Sequence, residues 1–462
     1  MFIFEVLDKL NYIFWSYFGF SIIALLGCYF TIKTRFFQIR EMPSLFILFF
    51  RFLKFRKKTK VGTHPLQVFF ASVGGMLGVG NIVGIVTALQ IGGPGAILWV
   101  WVAAFLGSIL KYSEVYLGLK YRRKNKEGGY DGGPMYFLQK AFNKKWIASL
   151  VCILLCIYGA EIYQFSVLTH SISTSWHINH SLVVLLLLAL VLYSAIGGIK
   201  RVGKICSGVI PVFAIVYVSM CFYIIGSHIQ EIPALIASVI RAAFTGSAAT
   251  GGAIGGGILL ALQQGISRSV YSSDVGVGYD SIIQSESSAD QIDHQARLAM
   301  LGVFFDNFIC TLSLLIALIT GFWKMTQADP YLIVEKGLSL YFPGQTVFLP
   351  MFLFVLVYTT LISYLYVGMK CAHFLNDRFG KKVYLFFSSV FFLVFAFFDS
   401  SKALLIMSLS GCLLLCINLL GVWRLKKEID FSSFAFQEEE SKKLSLRENE
   451  EEEVILQKEK EE

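Results

Sequence analysis

The chain has 462 residues, of which 56% are hydrophobic and only 15% are charged, and its mean hydropathy is +0.65. A soluble domain carries about a quarter charged residues, so this composition excludes a fold that keeps its whole surface in water. The formal net charge of +9 does not indicate a nucleic-acid partner. The basic residues lie in short loops between apolar runs, as membrane topology requires.

Apolar runs long enough to cross the hydrocarbon core of a bilayer recur along the chain. Backbone in lipid must satisfy its own hydrogen bonds, so each run is predicted to be α-helical. Two amphipathic stretches, residues 43–55 and 232–244, predict helices in the membrane interface. We therefore predict an all-α integral membrane protein with about eleven spans, at residues 12–34, 65–91, 94–120, 146–170, 181–198, 202–227, 247–270, 298–322, 346–374, 382–398 and 403–424.

Lysine and arginine are concentrated in the loops between spans 1 and 2, 3 and 4, 5 and 6, and 9 and 10. The positive-inside rule then predicts that the N-terminus is outside and the C-terminus cytoplasmic, which requires an odd number of spans. Glu5 and Asp8 replace the basic start of a cleaved signal peptide, so the first run is expected to remain as a span. The prediction is a multi-pass protein of a bacterial-type inner (plasma) membrane.

Charge and glycine content divide the chain into four parts. Residues 1–60 hold the first span and a basic cytoplasmic loop, and residues 426–462, dominated by Glu and Lys, predict a disordered cytoplasmic tail. Residues 61–228 and 229–425 form two sets of five spans. Each set opens with a glycine-rich span, which favours an inverted repeat.

The first glycine-rich span contains Gly74, Gly75, Gly78, Gly80 and Gly84, and the second begins with the glycine-rich residues 244–257. Glycine in a helix costs about 1 kcal/mol relative to alanine. Close packing of helices explains some of these glycines. Their number, and the polar residues among them, favour discontinuous helices whose freed N–H and C=O groups meet a carboxylate and a cation.

Polar side chains inside the apolar runs are the other candidates for a site. Asn81 and Gln164 either bond a neighbouring helix or bind a ligand. Glu161 and Asp306 are intramembrane carboxylates, which pair with a basic residue, couple to protons or face a water-filled vestibule. Lys111 and Glu114 are three residues apart, and this spacing predicts an ion pair on a helix surface.

Several motifs carry a resemblance to a known family. They are Gly78-Val-Gly-Asn-Ile-Val-Gly84, Gly92-Gly-Pro-Gly-Ala96, Lys111-Tyr-Ser-Glu114, Gly132-Gly-Pro-Met-Tyr136 and the stretch 265–278. In these motifs the chain, from about residue 15 to 425, resembles the alanine/glycine:cation symporter family (sodium:alanine symporters). The resemblance implies a leucine-transporter-like fold of five plus five spans with one extra N-terminal helix. It also implies uptake of alanine or glycine, as either enantiomer, coupled to Na+ or in some members to H+.

By matching position, the resemblance assigns candidate site residues. Those for the ion are Thr359 and Thr360, although these threonines can also bond their own helix carbonyls, and Asn81 joins them because it lies beside the broken backbone. Glu161 and Asp306 are coupling candidates as intramembrane carboxylates and not through the resemblance. The chain departs from the family pattern at Val79, Glu161, Ala253 and the pair Ser273-Asp274, where the family usually has Thr, Asn, an aromatic residue and Asn-Glu. The substrate-binding candidates are Gly78, Val79, Gly80, Asn81, Gln164, Thr250, Gly251, Gly252 and Ala253.

The predicted function is secondary active symport of a small neutral amino acid such as alanine or glycine, in L or D form, with Na+ favoured over H+. The alternative is a channel or a non-transporting amino-acid sensor on the same scaffold. No nucleophile–base pattern, phosphate loop or dinucleotide fingerprint occurs in the sequence, so enzymatic activity and organic cofactors are not expected. The expected partners are the amino acid, the coupling ion and the bilayer, with no nucleic acid. The sequence does not specify an oligomeric state.

Overall fold

A computed structural model describes residues 2–54, 61–126, 128–245, 258–325, 330–398 and 400–434. Within these ranges the chain is almost entirely helical, with one short hairpin of β1 (Arg123–Lys124) and β2 (Tyr130–Asp131). The N-terminal helix α1 (Phe2–Ile13) continues through a π-helical segment (Phe14–Gly19) into α2 (Phe20–Lys33). The other helices are α3 (Phe37–Arg40), α4 (Met42–Lys54), α5 (Pro65–Met76), α6 (Val86–Gly92), α7 (Ala96–Lys120), α8 (Pro134–Phe142), α9 (Lys145–Tyr158), α10 (Ile162–Trp176), α11 (His180–Ile196), α12 (Gly198–Ser227), α13 (Ile232–Thr245), α14 (Ile258–Ser273), α15 (Tyr279–Ser285), α16 (Ile292–Thr320), α17 (Pro330–Ser339), α18 (Gln345–Leu375), α19 (Gly380–Phe395) and α20 (Ser401–Arg424).

Many of these helices are long and apolar enough to cross a membrane. In the described part of the chain, seven helical segments meet that criterion, with α9 and α10 counted as one segment, and the bent pair Pro65–Met76 and Gly80–Gly92 makes an eighth. The other three predicted spans coincide with α11, α14 and α19, which have 17, 16 and 16 residues. A helix of about 17 residues is at the lower limit for spanning. The count of eleven and the inverted repeat therefore stay predictions.

The outward faces of several helices are apolar, as lipid contact requires. Leu186 on α11, Ile215 on α12 and Phe386 on α19 are more than 60% exposed. Exposed apolar patches of this extent indicate that the surrounding solvent is not water. The polar side chains described below are buried inside the bundle instead.

Two of the helices are broken, and their halves pack together. The first break lies between α5 and a π-helical segment, Gly80–Gly84, that leads into α6; the chain bends there by 53° and Leu77 adopts an extended conformation. The second lies between α14 and α15, where Asp274, Gly276 and Gly278 have φ angles of 48°, 77° and 98°. α14 packs against α6 and α15 against α5, so the two broken helices run antiparallel, side by side.

The break between α14 and α15 is additional to the one that glycine content predicted. Of the predicted segment 244–257, residues 246–257 lie outside the described part of the chain. In the described part the helix is interrupted at residues 274–278, after α14 has run without a break from Ile258 to Ser273. Positive φ at Asp274, Gly276 and Gly278 ends the helix there, because a left-handed conformation cannot continue a right-handed one.

A further irregularity divides the predicted span 146–170. α9 ends at Tyr158 and α10 begins at Ile162, with Glu161 at a φ of 47° between them. The two helices together still make one candidate span, Lys145–Trp176. At this interruption the side chains of Glu161 and Gln164 face the first broken helix.

The beginning of the predicted tail is packed against the bundle. Ile429 and Phe434 are buried, the Tyr112 hydroxyl donates to the Asp430 carbonyl at 2.6 Å, and Arg297 Nη2 donates to the Ser432 carbonyl at 2.8 Å. The expected disorder therefore does not hold for residues 426–434. Residues 435–462, the rest of the predicted tail, lie outside the described part of the chain.

Candidate functional site

A polar cavity lies where the two helix breaks and the α9–α10 irregularity meet. Its empty volume is about 280 Å³. Part of this space is open to solvent, and the cavity wall combines helix backbone with carboxylate, carboxamide and hydroxyl groups. It is lined by Gly75, Met76, Gly78, Gly80, Asn81, Tyr158, Glu161, Gln164, Tyr271, Ser272, Asp274 and Tyr364.

Side chains hold the backbone that the first break frees from helical bonding. The Gly78 amide donates to Asn81 Oδ1 at 2.9 Å, and the Val79 amide donates to Gln164 Oε1 at 3.3 Å. A Cβ on Gly78 would overlap Gln164 Oε1, so glycine is required for this approach. At Gly80 a Cβ would meet no atom within 4 Å, so this residue adjoins open space.

Asn81 connects the first break to α14 and α16. Its side chain is completely buried, and its Nδ2 donates to Ser272 Oγ at 2.8 Å and to Asp306 Oδ1. Ser272 Oγ in turn donates to the Asp306 carboxylate at 3.1 Å. Both ends of the Asn81 carboxamide thus have protein partners. The arrangement fixes the conformation of the break and gives Asp306 two neutral hydrogen-bond donors.

Gln164 connects the Glu161 carboxylate to the same break through hydrogen bonds. Its Nε2 donates to Glu161 Oε2 at 2.8 Å, while its Oε1 accepts from Val79. Glu161 is 4% exposed and lines the cavity. Sequence analysis had predicted both residues as candidates, and the structure brings them together with Gly78, Val79 and Gly80.

Asp274 is a cavity residue that the sequence analysis noted only as a departure from the family pattern. Its carboxylate accepts from the hydroxyl of Tyr158 at 2.8 Å and from that of Tyr364. It stands in the left-handed conformation at the second break, so the break itself directs this carboxylate toward the cavity. The signal that could have revealed it is an acidic residue followed by two alternate glycines, Gly276 and Gly278, in an apolar run.

Oxygen atoms also cluster where α18 meets the first break. The Thr360 hydroxyl lies 2.8 Å from the Leu77 carbonyl oxygen, 3.2 Å from that of Gly74 and 2.9 Å from that of Leu356. The Thr359 hydroxyl contacts the Leu356 carbonyl at 2.9 Å and the Val355 carbonyl at 3.0 Å. Thr359 therefore bonds only its own helix here, whereas Thr360 also reaches the broken one. Hard cations take such carbonyl and hydroxyl ligands.

The remaining predicted substrate residues, Thr250, Gly251, Gly252 and Ala253, lie outside the described part of the chain. Val79 is buried, with a 6% exposed side chain, and contributes its backbone amide to the break. The described cavity is thus built from the first break, the α9–α10 irregularity, the end of α14 and the middle of α18.

A network of ion pairs lies near this region, further along α18. Lys370, about 9 Å along α18 from Tyr364 at 1.5 Å per residue, pairs with Asp131 at 2.6 Å and with Glu286. Burial raises the pKa of Asp131, but the Lys370 ammonium outweighs it, so the pKa lies below its usual value. The hairpin loop, the end of α15 and α18 are thereby tied together.

Comparison with known proteins identifies the family. The model of the sodium:alanine symporter family matches residues 1–450. The chain belongs to this family. It is a multi-pass membrane transporter of a family that carries amino acids by cation-coupled symport.

Relatives of this symporter are found in bacteria and archaea. It is 31% identical over 370 residues to an uncharacterized transporter of Haemophilus influenzae, covering 78% of this chain and 79% of the relative. It is 27% identical over 455 residues to the sodium/alanine symporter AgcS of Methanococcus maripaludis, covering 94% and 97%. The amino-acid carrier protein AlsT of Bacillus subtilis is 28% identical over 368 residues, covering 78% and 76%.

The symporter also resembles a solved transporter structure. A single-site mutant of the Eremococcus coleocola manganese transporter superposes with a TM-score of 0.50 at 14% identity, covering 78% of this chain and 76% of that chain. At that identity the likeness concerns the fold alone.

Proposed function

We propose that the protein is a Na+-coupled symporter of a small neutral amino acid such as alanine or glycine. The observation that carries the proposal is the first helix break, which adjoins both the polar cavity and the oxygen cluster at Thr360. One stretch of backbone, Gly74 to Gly80, thus contributes to both places. Discontinuous helices of this kind bind solute and coupling ion in secondary transporters.

The cavity chemistry fits a zwitterion. The carboxylates of Glu161 and Asp274 supply acceptors for an ammonium group. The Gly78 and Val79 amides, which donate to Asn81 and Gln164, would donate to a substrate carboxylate in exchange for those side-chain partners. An anion is favoured near the N-terminus of the second half-helix by its dipole. Val79 lacks the hydroxyl of the Thr that the family usually has at this position, so recognition of the substrate carboxylate depends on backbone amides.

The proposed Na+ site consists of five oxygens, the carbonyls of Gly74, Leu77 and Leu356 and the hydroxyls of Thr359 and Thr360. Their contacts with the Thr360 hydroxyl support it, because all three carbonyl oxygens are within 3.2 Å of that atom. Asn81 serves this site indirectly, through the conformation of the break. Glu161 and Asp306 are the groups that would carry a proton if coupling used H+ instead.

We further propose how the spans are arranged and oriented. The antiparallel pairing of two broken helices supports an inverted repeat of spans 2–6 and 7–11, preceded by one extra helix. The basic loops support a cytoplasmic C-terminus. Movement of one repeat against the other would expose the cavity to each side in turn.

The test is uptake of labelled alanine and glycine by proteoliposomes, with Na+ and H+ gradients imposed separately. An inward Na+ gradient should drive accumulation, and neutral amino acids with large side chains should compete weakly. Accumulation driven only by a proton gradient would assign coupling to Glu161 or Asp306 and contradict the Na+ site. Gradient-independent flux would indicate a channel, and binding without exchange would indicate a sensor.

A further inference from the structure

Helix α7 carries two buried charged residues that the transport proposal does not use. Lys111 and Glu114 are three residues apart on one helical face, and both are completely buried. The sequence prediction of a surface ion pair is therefore wrong. Charged side chains inside a membrane bundle are expensive and are retained where they have partners and a task.

Their partners are the backbone groups freed by the second break. Lys111 Nζ donates to the Asp274 carbonyl at 2.8 Å, and the Gly276 amide donates to Glu114 Oε2 at 3.0 Å. From helix α20, Asn418 Nδ2 donates to the Gly276 carbonyl at 3.1 Å. The three side chains Lys111, Glu114 and Asn418, here called the cradle, thus replace hydrogen bonds that the helix would have made.

The cradle stands behind the cavity and not in it. None of its residues lines the cavity, whereas Asp274 does, and the Asp274 carboxylate is bonded on that side by Tyr158 and Tyr364. Asp274 therefore has its backbone carbonyl bonded to the cradle and its carboxylate in the cavity. Any shift of the broken backbone would move the carboxylate with it.

The cradle also connects the two breaks. Lys111 Nζ lies 3.4 Å from Asp280 Oδ2, and Asp280 Oδ1 accepts from Ser72 Oγ on α5, the helix that precedes the first break. Lys111 thus bonds the backbone where the second break begins and pairs with a carboxylate just after the break ends. The same lysine that holds the broken backbone therefore balances the charge of Asp280.

We propose that Lys111, Glu114 and Asn418 are positioning residues for transport, which hold residues 274–278 in the conformation that presents the Asp274 carboxylate to the substrate. The task of Glu114 is to accept a hydrogen bond from Gly276, and its charge is secondary to that. The transport consequence rests on the proposed function. The backbone consequence does not, and it can be measured without substrate.

The experiment compares Glu114→Gln, which keeps an acceptor oxygen, with Glu114→Leu, which removes it. Hydrogen–deuterium exchange of purified protein should rise about tenfold or more in peptides covering 274–280 for Glu114→Leu, and stay near wild type in peptides covering 65–76. In proteoliposomes the KM for alanine should rise by about tenfold for Glu114→Leu and by less than about threefold for Glu114→Gln. Ser113→Ala, which removes a neighbouring buried hydroxyl bonded to its own helix, is the matched control.

Asn418→Leu removes a cradle residue from another helix and should give the same local rise in exchange. It replaces Glu114→Leu as the test if that variant does not insert into the membrane. Unchanged exchange at 274–280 in the variants that insert would overturn the proposal. So would a Glu114→Gln protein as impaired as Glu114→Leu, because the charge and not the backbone bond would then matter. A wild-type protein that shows no uptake would refute the proposed function, while the exchange data would still test the cradle.

Discussion

The Thr360 hydroxyl donates to the Leu77 carbonyl at 2.8 Å, and Leu77 is the residue at which the first broken helix loses its regular conformation. Helix α18 and the broken helix therefore share a polar contact at the point where backbone oxygens are free. Two residues further on, the Val79 amide faces Gln164 at the cavity. An ion bound at Thr360 and an amino acid bound in the cavity would each stabilise the same few residues, which is a physical basis for coupling them.

Replacing Thr360 with Val tests the ion site. The substitution preserves shape but removes the one hydroxyl that contacts all three carbonyls. We expect the Na+ concentration for half-maximal alanine uptake to rise by about tenfold or more, equivalent to about 1.4 kcal/mol. Thr320→Val is the matched control, because that hydroxyl bonds only carbonyls of its own helix. An unaltered Na+ dependence in Thr360→Val would remove Thr360 from the site.

Gly80 tests the cavity. A side chain at this position meets no atom within 4 Å of its Cβ and so extends into open space. We expect Gly80→Ala to retain uptake and Gly80→Leu to abolish it, since a branched side chain would occupy the volume of a small amino acid. Gly208→Leu, at an exposed helical glycine that also has nothing within 4 Å, is the control for insertion. Normal uptake by Gly80→Leu would exclude this cavity as the substrate site.

Asp131 gives a prediction for pH. Because its pKa is lowered by Lys370, its ionised form stabilises the folded state above the unfolded pKa of about 3.9, and this contribution is lost as the pH falls through the lower folded pKa. Asp131→Asn should therefore lower Tm at pH 7, and the difference from wild type should shrink below about pH 4. Asp377→Asn, at an exposed pair with His373, should change Tm little at either pH. A Tm difference for Asp131→Asn that is independent of pH would refute the ion-pair origin.

The packed C-terminal segment gives a prediction for stability. A chain ending after Phe434 keeps the buried side chains Ile429 and Phe434 and the Ser432 carbonyl that accepts from Arg297. A chain ending after Leu425 loses them, at about 1.5–3 kcal/mol for each buried apolar side chain. We expect the first truncation to leave Tm and uptake unchanged and the second to lower Tm clearly. Equal Tm values for the two truncations would mean that the segment contributes no stability.

Much of the cavity was predictable because polar side chains in apolar runs are informative. Asn81, Gln164, Glu161 and Asp306 were chosen for that reason, and the structure joins Asn81 to Asp306 and Gln164 to Glu161. Burying such groups is unfavourable unless they bond one another, so their presence alone indicated a shared polar region. Their binding roles stay predictions.

Two features escaped the sequence for physical reasons. Glycine counts do not distinguish a glycine that permits close packing from one that permits positive φ, so the short pattern of Asp274, Gly276 and Gly278 was overlooked beside the longer run at 244–257. Helical spacing reveals that Lys111 and Glu114 share a face, but not whether that face meets solvent or a broken backbone. The burial of Lys111 and Glu114 depends on contacts between distant parts of the chain, which local patterns do not record.

The most direct test of the central claim is equilibrium binding of labelled alanine to purified protein over a range of Na+ concentrations. If the first break links ion and substrate, alanine affinity should rise with Na+, and Na+ affinity should rise with alanine by the same factor. Alanine binding with an affinity that does not change between Na+-free and Na+-containing buffer would contradict the account.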